Sequence, residues 1–237
     1  MNKKYIICLF VLLYFASPAF GLTTGNENLP LANNGPQDPV KELQTLYNGR
    51  VWRNLYTNVR GDQFLFSKSY LPGSLTMNGK HYANVNLNYD IYNDELLIPK
   101  NNGAILQLNK EMVDSFSLEV NSRKYYFRNT DPDSLDGIKG FVNVLYRGSS
   151  ALYVKYRKSI DLLAVDDKYD LFFQTQKIYL VKKGVVYQIG SKRDLLKALQ
   201  EDKTQIKAFL KKNGLTISRK LPDSFIPVVR FYDSLSQ

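Results

Sequence analysis

Cysteine is nearly absent from this 237-residue chain: Cys8 is the only one, and it lies within an apolar run at the start. Beyond that run no disulfide, thiolate metal site or cysteine nucleophile is possible, so the fold must be held by its core. No small-residue lipobox precedes Cys8, which argues against a lipid anchor there. Histidine also occurs once, at His81, which leaves a His-rich zinc set without a second member. Ser74 and Ser149 are the serines a hydrolase would call on, and neither sits in a Gly-x-Ser-x-Gly elbow. No Walker loop, dinucleotide-binding glycine motif or paired metal-ligand spacing occurs, so no cofactor is expected. No apolar run reaches the roughly 20 residues of a membrane-spanning helix.

What is present begins with an address. Lys3 and Lys4 precede apolar residues 5–15, then Ala16, Ser17, Pro18, Ala19, Phe20 and Gly21. A basic start, a short hydrophobic stretch and small residues at its exit describe a secretory signal peptide over 1–21, cut after Ala19 or Gly21. The expected location is the periplasm, or association with the outer membrane. Residues 22–38 are rich in Asn, Gly and Pro and read as a flexible leader. A short helix is expected next, with Asp38 as cap, Pro39 at its first position and Gly49 as its stop.

From residue 50 to 189 the pattern is β. The seventeen Tyr and thirteen Phe suit half-buried strands. In residues 84–92, Val85, Leu87, Tyr89 and Ile91 alternate with Asn84, Asn86, Asn88 and Asp90, which predicts one face in a core and one in water. Hairpin turns are predicted at Asn78-Gly79, Asn102-Gly103, Asn121-Ser122, Gly148–Ser150 and Lys183-Gly184. Their succession predicts an antiparallel meander or half-barrel. At Ser191, a cap, the period changes: Leu195, Leu196 and Leu199 share a helical face. A second helix over about 204–213 ends at Gly214, and a third over 224–235 carries Pro227 in its first turn. The fold class is therefore α+β, a β-rich domain over 39–190 followed by a basic helical segment over 191–237 packed on the sheet. By analogy of fold alone, a curved sheet under helices can enclose a hydrophobic ligand.

Residues 84–98 (NVNLNYDIYNDELLI) and 105–116 (ILQLNKEMVDSF) resemble uncharacterised secreted proteins of Bacteroidota. So does the ending, with YLVK at 179–182, Lys183-Gly184, the Leu/Lys helix pair and RFYD at 230–233. The resemblance implies an envelope location and attaches no activity to it.

Charge supplies the strongest functional hint. Residues 147–237 hold 18 basic and 9 acidic side chains, and 182–220 hold 11 against 3. On the second expected helix Lys203, Lys207 and Lys211 recur every four residues beside Ile206 and Leu210. With Lys212, Lys192, Arg193 and Lys197 they form the expected contact with anionic lipid, lipopolysaccharide or an acidic envelope protein. The blander reading is a solvated face that keeps the protein soluble. Nucleic acid is not an expected partner for an exported chain, and the mature chain is expected to lack a transmembrane helix.

Three weaker constellations complete the survey. Asp131, Asp133 and Asp136 near Gly137 suit calcium, but the spacing departs from an EF-hand and the composition equally suits an exposed turn. Asp90, Asp94 and Glu95 would serve a carboxylate-dependent hydrolase of envelope glycans or peptides, provided two of them face each other. A small outer-membrane β-barrel would show the same strand alternation. The preferred reading is an envelope binding or interaction protein without catalytic activity.

Overall fold

The computed structural model describes residues 49–131 and 137–235. The expected signal peptide, leader and first helix lie outside those residues, apart from Gly49, as do 132–136 of the acidic loop. Gly49 opens the first strand, where an added Cβ would fall 2.2 Å from the Gln107 carbonyl oxygen.

Eleven strands are formed: β1 (Gly49–Val51), β2 (Leu71–Met77), β3 (Lys80–Asp90), β4 (Glu95–Pro99), β5 (Ile105–Leu108), β6 (Val113–Val120), β7 (Arg123–Asn129), β8 (Phe141–Arg147), β9 (Ser150–Val165), β10 (Tyr169–Lys182) and β11 (Val185–Ile189). They make one open sheet in the order β1-β5-β4-β3-β2-β6-β7-β8-β9-β10-β11, antiparallel at every pairing. The predicted turns at Asn78-Gly79, Asn121-Ser122 and Lys183-Gly184 have φ above zero at both residues, as a type I′ hairpin requires.

A continuous meander would pair β5 with β6, and here the expectation fails. After β5 a single 3₁₀ turn, Lys110–Met112, returns the chain so that β6 joins β2 instead. Two meanders therefore meet along β2–β6. Gly73 permits that seam, since a Cβ there would lie 1.9 Å from the Ser117 carbonyl oxygen.

The sheet curls. Residues 60–65 bridge its two halves, through Leu65 N to Tyr89 O (2.9 Å), Ile91 N to Gln63 O (3.0 Å) and Arg60 N to Asp170 O (2.8 Å). The Lys158 amide also reaches Ile91 O at 3.2 Å. Inside the curl Tyr89, Phe116, Phe127 and Phe141 interlock, Phe116 and Phe127 stacked 4.7 Å apart and the other pairs edge-on. The predicted alternation of β3 is only half right. Asn88 and Asp90 are as buried as Tyr89: Asn88 donates to the Lys68 carbonyl (2.9 Å), and Asp90 turns back onto the Tyr92 and Asn93 amides. Asn84, at φ 54°, sits where the β2–β3 register shifts.

Three helices follow: α1 (Lys192–Ala198), α2 (Lys203–Lys212) and α3 (Ile226–Leu235). Ser191 caps α1 as expected, accepting from Asp194 N while donating its hydroxyl to Asp194 Oδ2 at 2.8 Å. Leu195, Leu199, Ile206, Leu210, Phe225 and Val229 pack on Leu152, Val154, Ile178 and Leu180 of β9 and β10. These side chains fill the space between helices and sheet, where the sequence left room for an enclosed ligand. Polar ties fix the layer. Asp233 Oδ2 accepts from Tyr146 Oη (3.0 Å) and Ser150 N (2.9 Å), and Lys182 Nζ donates to Ala198 O (2.8 Å) and Glu201 Oε2 (3.1 Å).

Candidate anionic-surface site

Helices α1 and α2 pack their leucines and Ile206 inward, and by helical periodicity their polar stripes must face out. Leu195, Leu196 and Ala198 of α1 and Ile206 and Leu210 of α2 are buried. Lys192, Arg193, Lys197, Lys203, Lys207, Lys211 and Lys212 are all exposed. The turn at Gln200–Asp202 brings the two outer stripes together. Lys192, Arg193, Lys197, Lys203 and Lys207 line one open groove of about 600 Å³, with Leu196 and Gln200 completing it. Five of the seven expected residues thus converge. Lys211 and Lys212 continue along the last turn of α2, where they also oppose the negative end of the helix dipole.

Their electrostatic state sets them apart from their neighbours. Among the described residues, none of the seven has a carboxylate within 4.0 Å, whereas Lys182 and Lys183 both meet Glu201. Two of the nearby carboxylates are engaged by other groups. Asp194 is held below its ordinary pKa by the Ser191 hydroxyl, and Glu201 by hydrogen bonds from Lys182 and Tyr232. The groove is therefore a concave positive surface with no close ion pair among the described residues.

The carboxylates of the β3–β4 turn do something else. Asp90 is fully buried and accepts from the Tyr92 and Asn93 amides (2.9 Å each) and from Asn93 Nδ2 (2.9 Å). Burial raises its pKa, and the Asn93 bonds offset part of that rise. Asp94 lies between two ammonium groups, Lys110 Nζ at 2.6 Å and Lys155 Nζ at 2.7 Å, and accepts from Tyr89 Oη. Burial alone would push its pKa up, yet Lys155 and Lys110 outweigh burial and hold it below the ordinary value. Lys155 responds oppositely: burial lowers its pKa, and a carboxylate shared with Lys110 recovers only part of the loss. Glu95 reaches Arg50 at 3.3 Å. This half-buried ion cluster was not legible in the sequence, because Asp94 and Lys155 are 61 positions apart.

His81 is exposed on β3, with Nδ1 3.3 Å from Thr76 Oγ1 of the facing strand. Ser74 Oγ lies 2.8 Å from Ser117 Oγ, and Ser149 is exposed in the β8–β9 turn. In the acidic loop, Asp131 Oδ1 accepts from Gly140 N at 2.7 Å and Oδ2 lies 3.4 Å from Lys110 Nζ, so its oxygens close the loop and join the ion cluster. Among the described residues no group of three His, Cys, Asp or Glu is arranged to hold a metal, and no helix is long and apolar enough to cross a membrane. Comparison with protein-family models, curated proteins and solved structures finds no match.

Proposed function

We propose that this chain is an exported, envelope-associated binding protein without catalytic activity, whose α1–α2 face rests on the phosphates of anionic lipid. The observation that carries the proposal is the convergence of five cations from two helices on one open groove, with no carboxylate within 4.0 Å of any of them among the described residues. A flat or concave cationic surface gains about 1 kcal/mol per Lys or Arg near an anionic membrane. The Leu196 and Ile206 side chains hold both helices against the sheet, so the groove presents its charges without an ordering cost. The hydrolase reading has less support, since Asp90 is buried on the Tyr92 and Asn93 amides and Asp94 is neutralised by two lysines.

Export is supported by Lys3, Lys4 and the apolar residues 5–15, and by the resemblance to secreted proteins of Bacteroidota. N-terminal sequencing of protein recovered from the envelope is expected to begin at Phe20 or Leu22. Intact Met1 on material confined to the cytoplasm would overturn export.

The surface reading is tested by sedimenting the exported protein with vesicles. Binding is expected to vesicles containing phosphatidylglycerol and not to purely zwitterionic ones, and to weaken steeply as salt rises, because exposed charges are screened within about 8–10 Å near physiological ionic strength. Equal binding to both vesicles, or capture of an acidic envelope protein with no vesicle binding, would replace lipid as the partner.

A further inference from the structure

A second cationic site lies on the opposite face of the sheet from the helices. In β9 and β10, Val154 and Ile178 point into the helical layer, so the alternate residues Lys155, Arg157, Thr175, Lys177 and Tyr179 point away from it. Lys155 is directly opposite Lys177, and Arg157 directly opposite Thr175 on the next same-face rung. Directly opposed side chains have Cβ atoms about 4.5–5.5 Å apart, and like charges so placed repel. Lys139, from the loop beyond Gly137, adds a fourth cation. Together with Tyr179, Ile138 and Gly137 these residues enclose a pocket of about 140 Å³.

Among the described residues, carboxylates offset little of this concentration of charge. Asp94 is the one carboxylate that meets any of the four cations among the described residues, and it is shared with Lys110 on its far side. Lys155, only 6% exposed, spends two of its protons on Asp94 Oδ1 and on Phe141 O (2.9 Å). Arg157, Lys177 and Lys139 make no ion pair among the described residues. Arg157 is near enough to disfavour the charged form of Lys155, after burial, Asp94 and Lys110 have acted on it. An arrangement that is repulsive when empty becomes favourable when an anion fills it.

We propose that this pocket binds a phosphate group, as free phosphate or as the phosphomonoester of a lipid headgroup. Its volume is well under the roughly 300–1,000 Å³ of pockets that enclose whole organic ligands, so only a small ionic group enters. A guanidinium fork beside several ammonium groups matches the charge and the several acceptor oxygens of a phosphate better than a monovalent carboxylate. The Thr175 and Tyr179 hydroxyls on the lining supply neutral donors.

The probe is inorganic phosphate, titrated by calorimetry into the exported protein at constant ionic strength against chloride. Saturable one-site binding is expected, with a rise in Tm as phosphate is added. Arg157→Gln with Lys177→Gln should weaken that binding about tenfold or more, as expected for lost charge-assisted hydrogen bonds. The variant should fold as well as wild type without phosphate, because it also removes a repulsion. Lys124→Gln, at an exposed cation outside both surfaces, should leave phosphate affinity unchanged. Vesicles containing phosphatidic acid distinguish the two sources once Lys203→Glu and Lys207→Glu have silenced the helical face: in that background, binding lost on adding Arg157→Gln with Lys177→Gln identifies a headgroup, and no vesicle binding beside intact phosphate binding identifies free phosphate. No saturable phosphate binding by the wild type, or undiminished binding by the folded Arg157/Lys177 variant, overturns the site and leaves solvated cations.

Discussion

Asp94→Asn is expected to destabilise the protein by about 3–5 kcal/mol, the usual consequence of removing one member of a buried ion pair. The substitution keeps the shape and one acceptor oxygen, so the loss isolates charge. It strands Lys155, whose side chain is 7% exposed and whose remaining partner would be the Phe141 carbonyl. It also removes the closer of the two carboxylates of Lys110, leaving Asp131 at 3.4 Å. For a domain of this size the loss corresponds to a fall in Tm of about 6–20 °C. Lys155→Met should cost markedly less, because Asp94 keeps Lys110 and the Tyr89 hydroxyl. The dependence on pH follows from the direction of the Asp94 shift. Its folded pKa is depressed below the ordinary 3.8, so its contribution is fully present above that value and is lost as pH falls through the folded one. The gap between wild type and Asp94→Asn should therefore be full at pH 7 and close in strong acid. Urea midpoints at the two pH values measure it. A gap under 1 kcal/mol at pH 7, or one that widens in acid, would show that Asp94 is not the counterion the cluster depends on.

The same cluster marks the boundary of what sequence reasoning reached. Asn-Gly, Asn-Ser and Lys-Gly turns announce hairpins locally, and Ser191 and Gly214 bracket the first two helices, so most strand and helix positions were legible. The long β9–β10 hairpin escaped because its turn is Asp166-Asp167, which adopts φ of 54° and 52° without a glycine to announce it. Partner choice between distant strands was not legible. Nothing local tells β6 to join β2 in place of β5, or tells 63–65 to pair with the edge of β3. The candidate groove sits on the legible side. Lys203, Lys207 and Lys211 share a face by spacing alone, and Leu195, Leu196 and Ile206 fix which way that face points. What spacing could not supply was the meeting of the α1 and α2 stripes across Gln200–Asp202, or the commitment of Asp194 and Glu201 to other partners. The phosphate pocket lay beyond reach for the same reason as the ion cluster, since it needs the register that sets Lys155 opposite Lys177.

Reversing Lys203, Lys207 and Lys211 to glutamate together is expected to reduce binding to phosphatidylglycerol vesicles by two orders of magnitude or more. Three lysines near an anionic surface contribute about 1 kcal/mol each, so their loss alone accounts for roughly a hundredfold. The introduced carboxylates add repulsion that also lowers the rate of encounter. The fold should tolerate the change, because all three side chains are exposed and make no ion pair among the described residues. Glutamate at 203 suits the first turn of α2, whereas at 211 it opposes the dipole at a cost of about 0.3–1 kcal/mol. Circular dichroism and Tm should therefore stay near wild type. Replacing the same lysines with glutamine should give an intermediate loss, since it removes attraction without adding repulsion. The ordering wild type, glutamine, glutamate should compress as salt rises, because the three proteins differ only in screened charge. A folded glutamate variant that still binds the vesicles, or an ordering that survives high salt, would return the lysine face to the role of keeping the protein in solution.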